Sequence, residues 1–244
     1  ESYWLHWGPA EQTDGIRRQM DERFQSLTDW LVNGGVDFDF LCESLLPSQC
    51  RQGGAPLRVG KMAYDAVVVP GCETLRSTTL ERLEAFQRAG GRLIFLGDAP
   101  RYADAKPDDR GSRLYEQSRH TEFSREALLD ALEPVRLIDI RDENGVRTDN
   151  LLHQLRQDGD GRWLFLAHSR EPYNNDVPTR QNIRLTVKGA YHAHIYDTLT
   201  GNILPANAEI QGDKTVIRAT LYDHDSLLLR LDHEPALPRT ENEG

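Results

Sequence analysis

The sequence has few cysteines and no metal-binding spacing among them. Its 244 residues include three cysteines, Cys42, Cys50 and Cys72, and no two of them have the CxxC spacing that is typical of metal and redox sites. The odd number argues against a disulfide scaffold, and the spacing is compatible both with a Cys42–Cys50 bridge and with a reduced chain. We expect no metal and no cofactor, and the compartment, cytoplasmic or secreted, stays open.

Long apolar runs and positive net charge are also lacking. The apolar runs are strand-sized, as in residues 66–69 and 93–96, whereas a membrane helix needs about 20 apolar residues. The formal net charge is −10, and such a surface repels phosphate backbones. We therefore expect neither a membrane nor a nucleic acid as partner. The length allows one large or two modest domains.

The clearest pattern lies in residues 64–97. Two apolar runs, residues 66–69 and 93–96, flank a segment in which Leu80, Leu83 and Phe86 recur at helical spacing. This order predicts a strand, a helix and a second strand, which is one βαβ unit of a parallel sheet buried on both faces. A capping box formed by Thr78 and Glu81 is predicted to begin the helix.

The rest of the first half predicts further elements of an α/β domain. The apolar stripe of residues 16–32 predicts a helix capped by Thr13 or Asp14, and the alternation in residues 36–41 predicts a strand. Other predictions are a strand at residues 3–7, a surface excursion over residues 100–119, a short helix capped by Ser124, and a strand at residues 135–140 that either returns to this sheet or begins the next unit.

After about residue 145 the pattern changes to short strands with regular turns. Strand patterns lie at residues 151–156, 162–168, 182–188, 190–196, 215–221 and 227–231, separated by turn signals such as Asp158-Gly-Asp-Gly161. Such spacing is typical of an antiparallel β-sandwich. We therefore predict an α/β domain over residues 1–142, a β-sandwich over residues 149–232 and a flexible tail over residues 233–244.

These residues carry a family resemblance. The first half resembles the class I glutamine-amidotransferase-like domain, called the trimerisation domain in β-galactosidase-type enzymes, that follows the catalytic barrel of several glycoside hydrolases. The second half resembles the β-sandwich that comes next in those enzymes. The matching segments are the helix that ends at residues 30–35, residues 36–40, 64–71 and 80–96 in the first half, and residues 163–168, 196–201 and 225–229 in the second.

The resemblance implies a flavodoxin-like parallel sheet followed by an antiparallel β-sandwich, with no catalytic residue of its own. The barrel would be an upstream partner in the same polypeptide, and the start at Glu1 without Met fits a piece of a longer chain. We expect this portion to support the barrel, to contribute to the active-site rim and to take part in homo-oligomer contacts. Carbohydrate is the expected ligand.

Ligands of open parallel sheets bind beyond the carboxyl ends of the strands. The residues expected there, and hence in contact with a sugar, are Trp4, His6, Trp7, Glu73 and Asp98. Indole rings stack on the C–H face of a sugar, and carboxylates accept hydrogen bonds from its hydroxyl groups. The alternative for the tryptophans is that they pack in the interface with the barrel.

Other reactive residue types are weaker candidates. Cys72 follows a strand but does not lie in a nucleophile elbow, so we expect a structural thiol. Asp37 and Asp39 alternate with apolar residues, as on the solvated face of a strand, rather than forming a catalytic pair with Glu43. His192 and His194 share a strand face without a third metal ligand, and residues 158–161 read as a hairpin turn rather than a calcium loop.

Two other functions stay open. One is a carbohydrate-binding module, for which Tyr173, Tyr191 and Tyr196 are the candidate contact residues. The other is a stand-alone amidotransferase-like hydrolase that uses Cys72 as its nucleophile.

Overall fold

The structure is a computed structural model that describes residues 8–171, 176–177 and 179–233. The described residues form two compact units. The first unit contains residues 8–28 and 38–135, and the second contains residues 29–37 and 136–233. The strand predicted at residues 3–7 lies outside the described residues. Among the described residues, none of the helices is both long and apolar enough to cross a membrane.

The first unit combines helices with short strands. Its elements are α1 (Ala10–Val32), α2 (Leu46–Gln49), β1 (Leu57–Val59), β2 (Met62–Tyr64), β3 (Ala66–Pro70), β4 (Thr74–Leu75), α3 (Ser77–Arg88), β5 (Arg92–Leu96), β6 (Tyr102–Ala103), β7 (Lys106–Pro107), α4 (Arg110–Glu116), β8 (Arg119–Thr121) and α5 (Arg125–Leu132). The last residues of α1, from residue 29 onward, belong to the second unit.

The predicted βαβ unit is confirmed. β3 and β5 pair in parallel, with Val68 opposite Ile94, and α3 connects them. β8 adds a third parallel strand beside β5, which gives the order β3-β5-β8. Leu80, Leu83 and Phe86 of α3 are buried, as their helical spacing predicts. The remaining strands form the β1-β2 hairpin and a small sheet with the order β4-β6-β7.

The two predicted helix caps of this unit differ from the structure. α3 begins at Ser77, so Thr78 and Glu81 lie inside the helix and form no capping box. The amide of Ser77 instead donates to the Asp104 carboxylate (3.1 Å), which is far away in sequence. Likewise α1 begins at Ala10, so Thr13 and Asp14 lie inside it. The α3 prediction failed because a carboxylate outside the local pattern accepts this bond, and the α1 prediction failed because the helix begins before the predicted caps.

Two further predictions are wrong. Residues 36–41 form no strand. Their side chains make individual contacts instead: the Asp39 carboxylate accepts a hydrogen bond from the Tyr64 hydroxyl (2.7 Å), and the Phe40 ring lies 4.9 Å from that of Phe24. Residues 100–119 are not a surface excursion but contain β6, β7 and α4, followed by β8. Leu114 of α4 is buried in the hydrophobic core of the first unit, although the segment is highly charged.

The second unit consists of antiparallel strands. They are β9 (Ile138–Asp142), β10 (Leu151–Asp158), β11 (Gly161–His168), β12 (Arg180–Lys188), β13 (His192–Tyr196), β14 (Ile203–Pro205), β15 (Ala208–Gln211), β16 (Lys214–Tyr222) and β17 (Ser226–Asp232). One sheet has the order β10-β11-β17-β13-β14, and the other has the order β15-β16-β12-β9. β9 thus pairs with β12, which places it in the second unit.

Alternating apolar residues of both sheets meet in one core. Leu164, Leu166 and Leu229 come from the five-stranded sheet, and Leu185 and Ile217 come from the four-stranded sheet. All six predicted strands of this half are confirmed, as are the hairpin at residues 158–161 and the Ser124 cap of α5. β14 and β15 were not predicted; they are only three and four residues long and exposed throughout.

Candidate functional site

Two glycines bring the loops after β3 and β5 close together at the carboxyl edge of the parallel sheet. The amide of Gly71 donates to the carbonyl of Leu96 (2.7 Å), and the amide of Gly97 donates to that of Thr121 (2.8 Å). A Cβ atom on Gly71 would lie 3.1 Å from Nη1 of Arg23 and 3.3 Å from the amide nitrogen of Asp98. The absence of a side chain at Gly71 therefore allows Arg23 to approach this edge.

Arg23 of α1 is the central group of this edge. Its guanidinium lies 3.9 Å from the Asp98 carboxylate and stacks over the Phe123 ring, 5.3 Å from the ring centre. The Asp98 side chain is 89% exposed, whereas that of Arg23 is 30% exposed. The arrangement offers hydrogen-bond donors, a free acceptor face and an apolar ring at one open position.

A second ion pair lies on the loop after β3. The Glu73 carboxylate accepts from the Arg101 guanidinium (3.0 Å), and the backbone carbonyl of Glu73 accepts from the amides of Arg101 and Tyr102 (3.0 and 3.1 Å). These bonds fix Glu73 beside β6. We name Arg23, Glu73, Asp98, Arg101 and Phe123 together the sheet-edge cluster.

Arg101 also lines an open depression of about 740 Å³. The other lining residues are Pro107, Asp108, Asp109, Arg110, Ser112 and Arg113. Its charges are compensated, since Asp108 pairs with Arg110 (3.1 Å) and Asp109 with Arg113 (2.8 Å). The depression is lined largely by charged side chains, which offer hydrogen-bond donors and acceptors to a hydroxyl-rich ligand.

The Cys72 thiol is poorly suited to nucleophilic attack. Burial, together with the nearby Glu43 carboxylate, raises the pKa of Cys72 to about 12, so the thiol is protonated at neutral pH. No histidine is among the groups that shift this pKa. All three cysteines are free thiols, so Cys42 and Cys50 form no bridge.

The acidic residues Asp37, Asp39 and Glu43 have separate partners. Asp37 lies 3.4 Å from Nε2 of His153, and the hydrogen bond with this histidine lowers the pKa of Asp37. Asp39 accepts from a tyrosine hydroxyl, and Glu43 accepts from the backbone amide of Arg76 (2.8 Å).

The structure places two of the five predicted sugar-binding residues, Glu73 and Asp98, at the sheet edge, whereas Trp4, His6 and Trp7 lie outside the described residues. Across the described ranges, His, Cys, Asp and Glu side chains form no group of three that could hold a metal ion, and His192 and His194 have no third ligand. Of the tyrosines named for sugar binding, Tyr191 is buried and Tyr173 is not described.

Neither a family model nor a curated protein matches the chain. Solved structures do match it. A rhamnosidase from Novosphingobium sp. PP1Y has a TM-score of 0.59 at 17% identity, covering 85% of this chain and 21% of that chain. An α-L-fucosidase, isoenzyme 2 from Paenibacillus thiaminolyticus, has a TM-score of 0.53 at 10% identity, covering 86% of this chain and 45% of that chain. The structural neighbours are glycoside hydrolase chains.

The chain therefore spans about a fifth of one neighbour and less than half of the other. At these identities the likeness shows a shared fold and does not transfer any residue's role.

No sequence signal pointed to the arginines of the sheet-edge cluster. Arg23 lies on a helix among many charged residues, and Arg101 lies in a segment predicted to be a surface excursion. Their partners are 75 and 28 positions away, respectively, and only the fold brings them together.

Proposed function

We propose that this chain is a non-catalytic portion of a glycoside hydrolase polypeptide. The observation that carries the proposal is the fold match over 85% and 86% of this chain, which falls on 21% of a rhamnosidase chain and 45% of a fucosidase chain. A match of nearly all of one chain to a part of another is expected when the shared region is an accessory region.

The finer assignment is part of the same proposal. The first unit is an amidotransferase-like domain of flavodoxin-like type, and the second is an antiparallel β-sandwich, with domain ranges of 1–142 and 149–232. The three parallel strands joined through α3 and the two antiparallel sheets around one core support it. Its partners are an upstream catalytic barrel of the same polypeptide and, through trimerisation-type contacts, further copies of the chain.

The sheet-edge cluster gives the first unit its proposed role at the rim of the active site. Asp98 and Glu73 accept hydrogen bonds from sugar hydroxyl groups, while Arg23 and Arg101 hold the two carboxylates through ion pairs. Trp4, His6 and Trp7 belong to the same proposed rim. Since the pKa of Cys72 is about 12, bond breaking is assigned to the barrel and not to this chain.

The test has two parts. The chain of residues 1–244 is assayed against a panel of aryl glycosides, and we expect no turnover above buffer; robust hydrolysis would refute the proposal. The polypeptide of the full reading frame is then compared with its Asp98→Asn and Asp65→Asn variants. We expect a raised KM for Asp98→Asn alone, because Asp65 is also exposed but directly precedes β3 and so lies at the opposite edge of the sheet.

A carbohydrate-binding module is the second candidate. It is favoured by aromatic side chains on the outer face of the five-stranded sheet, where the rings of Trp163 and Tyr196 lie 4.8 Å apart and Phe165 is 40% exposed. Affinity electrophoresis in gels that contain neutral plant polysaccharides tests it. Retardation that is lost in Phe165→Ala would support this module, and unchanged migration in every gel would exclude it for those ligands.

A further inference from the structure

A row of arginines crosses the four-stranded sheet of the second unit. Arg141 of β9 lies directly opposite Arg184 of β12, and Arg184 lies directly opposite Arg218 of β16. Arg147 forms an isolated bridge with Arg141 and extends the row beyond β9. The row faces outward, since the flanking residues Ile140, Leu185 and Ile217 are buried in the core.

Lysines continue the positive charge on the same sheet. Lys188 of β12 lies directly opposite Lys214 of β16, and both side chains are exposed. Like charges directly opposite each other destabilise a sheet. The whole chain carries a net charge of −10, so the basic residues do not reflect an overall excess of arginine and lysine. We call Arg141, Arg184, Lys188, Lys214 and Arg218 the basic face.

Carboxylates compensate this charge only in part. Asp139 pairs with Arg141 (2.6 Å) and also contacts Arg136 and Arg147 (3.7 Å), so its charge is not available to Arg141 alone. Glu209 lies 3.9 Å from Arg218, but both side chains are more than half exposed, and such pairs contribute little.

Three side chains of the basic face have no acidic partner among the residues that the structure describes. Within the part of the chain that the structure describes, the side chains of Arg184, Lys188 and Lys214 take part in no ion pair or hydrogen bond. An exposed arginine held between two other arginines is available to an anion from solution. Its planar guanidinium can bind a sulfate or carboxylate group through two parallel hydrogen bonds.

We propose that the basic face binds an acidic polysaccharide through its sulfate or carboxylate groups. Neighbouring strands lie about 4.8 Å apart, so the row from Arg141 to Arg218 extends over about 10 Å, which fits a linear chain with repeated anionic groups better than a single small anion. The choice of a polysaccharide rests on the proposed function, because the structural neighbours are glycoside hydrolase chains. A nucleic acid is the alternative polyanion, and a DNA probe in the binding experiment distinguishes it from an acidic polysaccharide.

Binding is measured with the 244-residue chain by biolayer interferometry at 50 mM salt. The immobilised probes are dextran sulfate, polygalacturonate, neutral dextran and a single-stranded DNA oligonucleotide. We expect binding to at least one of the two acidic polysaccharides, at least tenfold weaker binding in Arg184→Gln/Arg218→Gln, and no binding to neutral dextran. Dextran sulfate and polygalacturonate distinguish sulfate from carboxylate recognition.

The matched control is Arg58→Gln/Lys61→Gln, which removes the same charge from exposed positions of the first unit. We expect it to bind like the unchanged protein. An equal loss in both double variants, tighter binding to DNA than to either acidic polysaccharide, or no binding to any acidic probe would overturn the proposal. The outcome is independent of the glycosidase assays, so failure here and failure of the proposed function are distinguishable.

Discussion

The arginine row makes a prediction about stability that is independent of any ligand. Arg184 has an arginine directly opposite on each side, and residues that face each other across antiparallel strands have Cα atoms about 4.5–5.5 Å apart. Two unit charges about 5 Å apart in water repel each other by about 0.8 kcal/mol. Two such pairs give an upper limit of about 1.5 kcal/mol at low salt, because the side chains can spread apart.

Replacing Arg184 by Gln removes both repulsions and leaves an uncharged side chain of similar strand propensity. We therefore expect Arg184→Gln to increase the free energy of unfolding of the second unit by up to about 1.5 kcal/mol at 10 mM salt. This change corresponds to roughly tenfold slower amide exchange in β12 and β16. Arg184→Glu, which replaces two repulsions by two attractions, should stabilise the unit about twice as much.

Amide hydrogen exchange followed by mass spectrometry at 10 mM and 1 M salt tests this reasoning. The gain should largely vanish at 1 M salt, where the Debye length is about 3 Å. The matched control is Arg58→Gln, since Arg58 is an exposed strand arginine that faces Ala63 and not another charge. Faster exchange in Arg184→Gln at low salt, or a gain of the same size in Arg58→Gln, would refute the argument that the row costs stability.

Three further predictions concern single side chains. Iodoacetamide at pH 8 should alkylate Cys42 faster than Cys72. Hydrogen bonds from Ser44 lower the pKa of the exposed Cys42, whereas burial raises the pKa of Cys72 to about 12. Equal alkylation rates of the two cysteines, measured by peptide mapping, would contradict this. Asp37→Asn should lower the free energy of unfolding at pH 7 by less than about 1 kcal/mol. Because the folded-state pKa of Asp37 is lowered, this difference should be present above about pH 4 and be lost as the pH falls through the folded-state value, which urea titrations at several pH values would show. Thr215→Val should lower the free energy of unfolding by about 2 kcal/mol in the same titrations, because the buried hydroxyl accepts one backbone hydrogen bond and donates another. A decrease below about 0.5 kcal/mol, the usual effect of a surface substitution, would contradict this.

The sequence was most informative where local periodicity and burial coincide. In β11 the buried Leu164 and Leu166 alternate with partly exposed residues, and this period of two is visible in the sequence itself. The βαβ unit was predictable because two-sided burial makes residues 93–96 of β5 a continuous apolar run. Hydrophobic burial is the dominant favourable contribution to folding, so the elements that supply the core can be recognised from the apolar pattern of their residues.

The failed predictions share a different physical origin. Residues 36–41 alternate as a strand does, yet no strand pairs with them, and strand formation depends on a partner that the local pattern does not contain. The cap of α3 was missed because backbone amides donate to any well-placed oxygen, here that of a carboxylate 27 positions away. The strands in segments 100–119 and 203–211 were missed because they are only two to four residues long, and β7, β14 and β15 are exposed throughout.

The basic face shows why a charged site is harder to predict than a core. Arg141, Arg184 and Arg218 are separated by 43 and 34 positions, and each looks by itself like an ordinary solvated residue on a polar strand face. Only the register of β9, β12 and β16 aligns them, and a shift of one residue in β12 would turn Arg184 towards the core. The register that places the Leu185 side chain in the core therefore also aligns the three arginines, so selection for the core cannot by itself explain why arginine occupies all three outward positions. If Arg184→Gln both stabilises the second unit and weakens polyanion binding, the row is retained against its cost in stability, as expected for a binding surface and not for a scaffold.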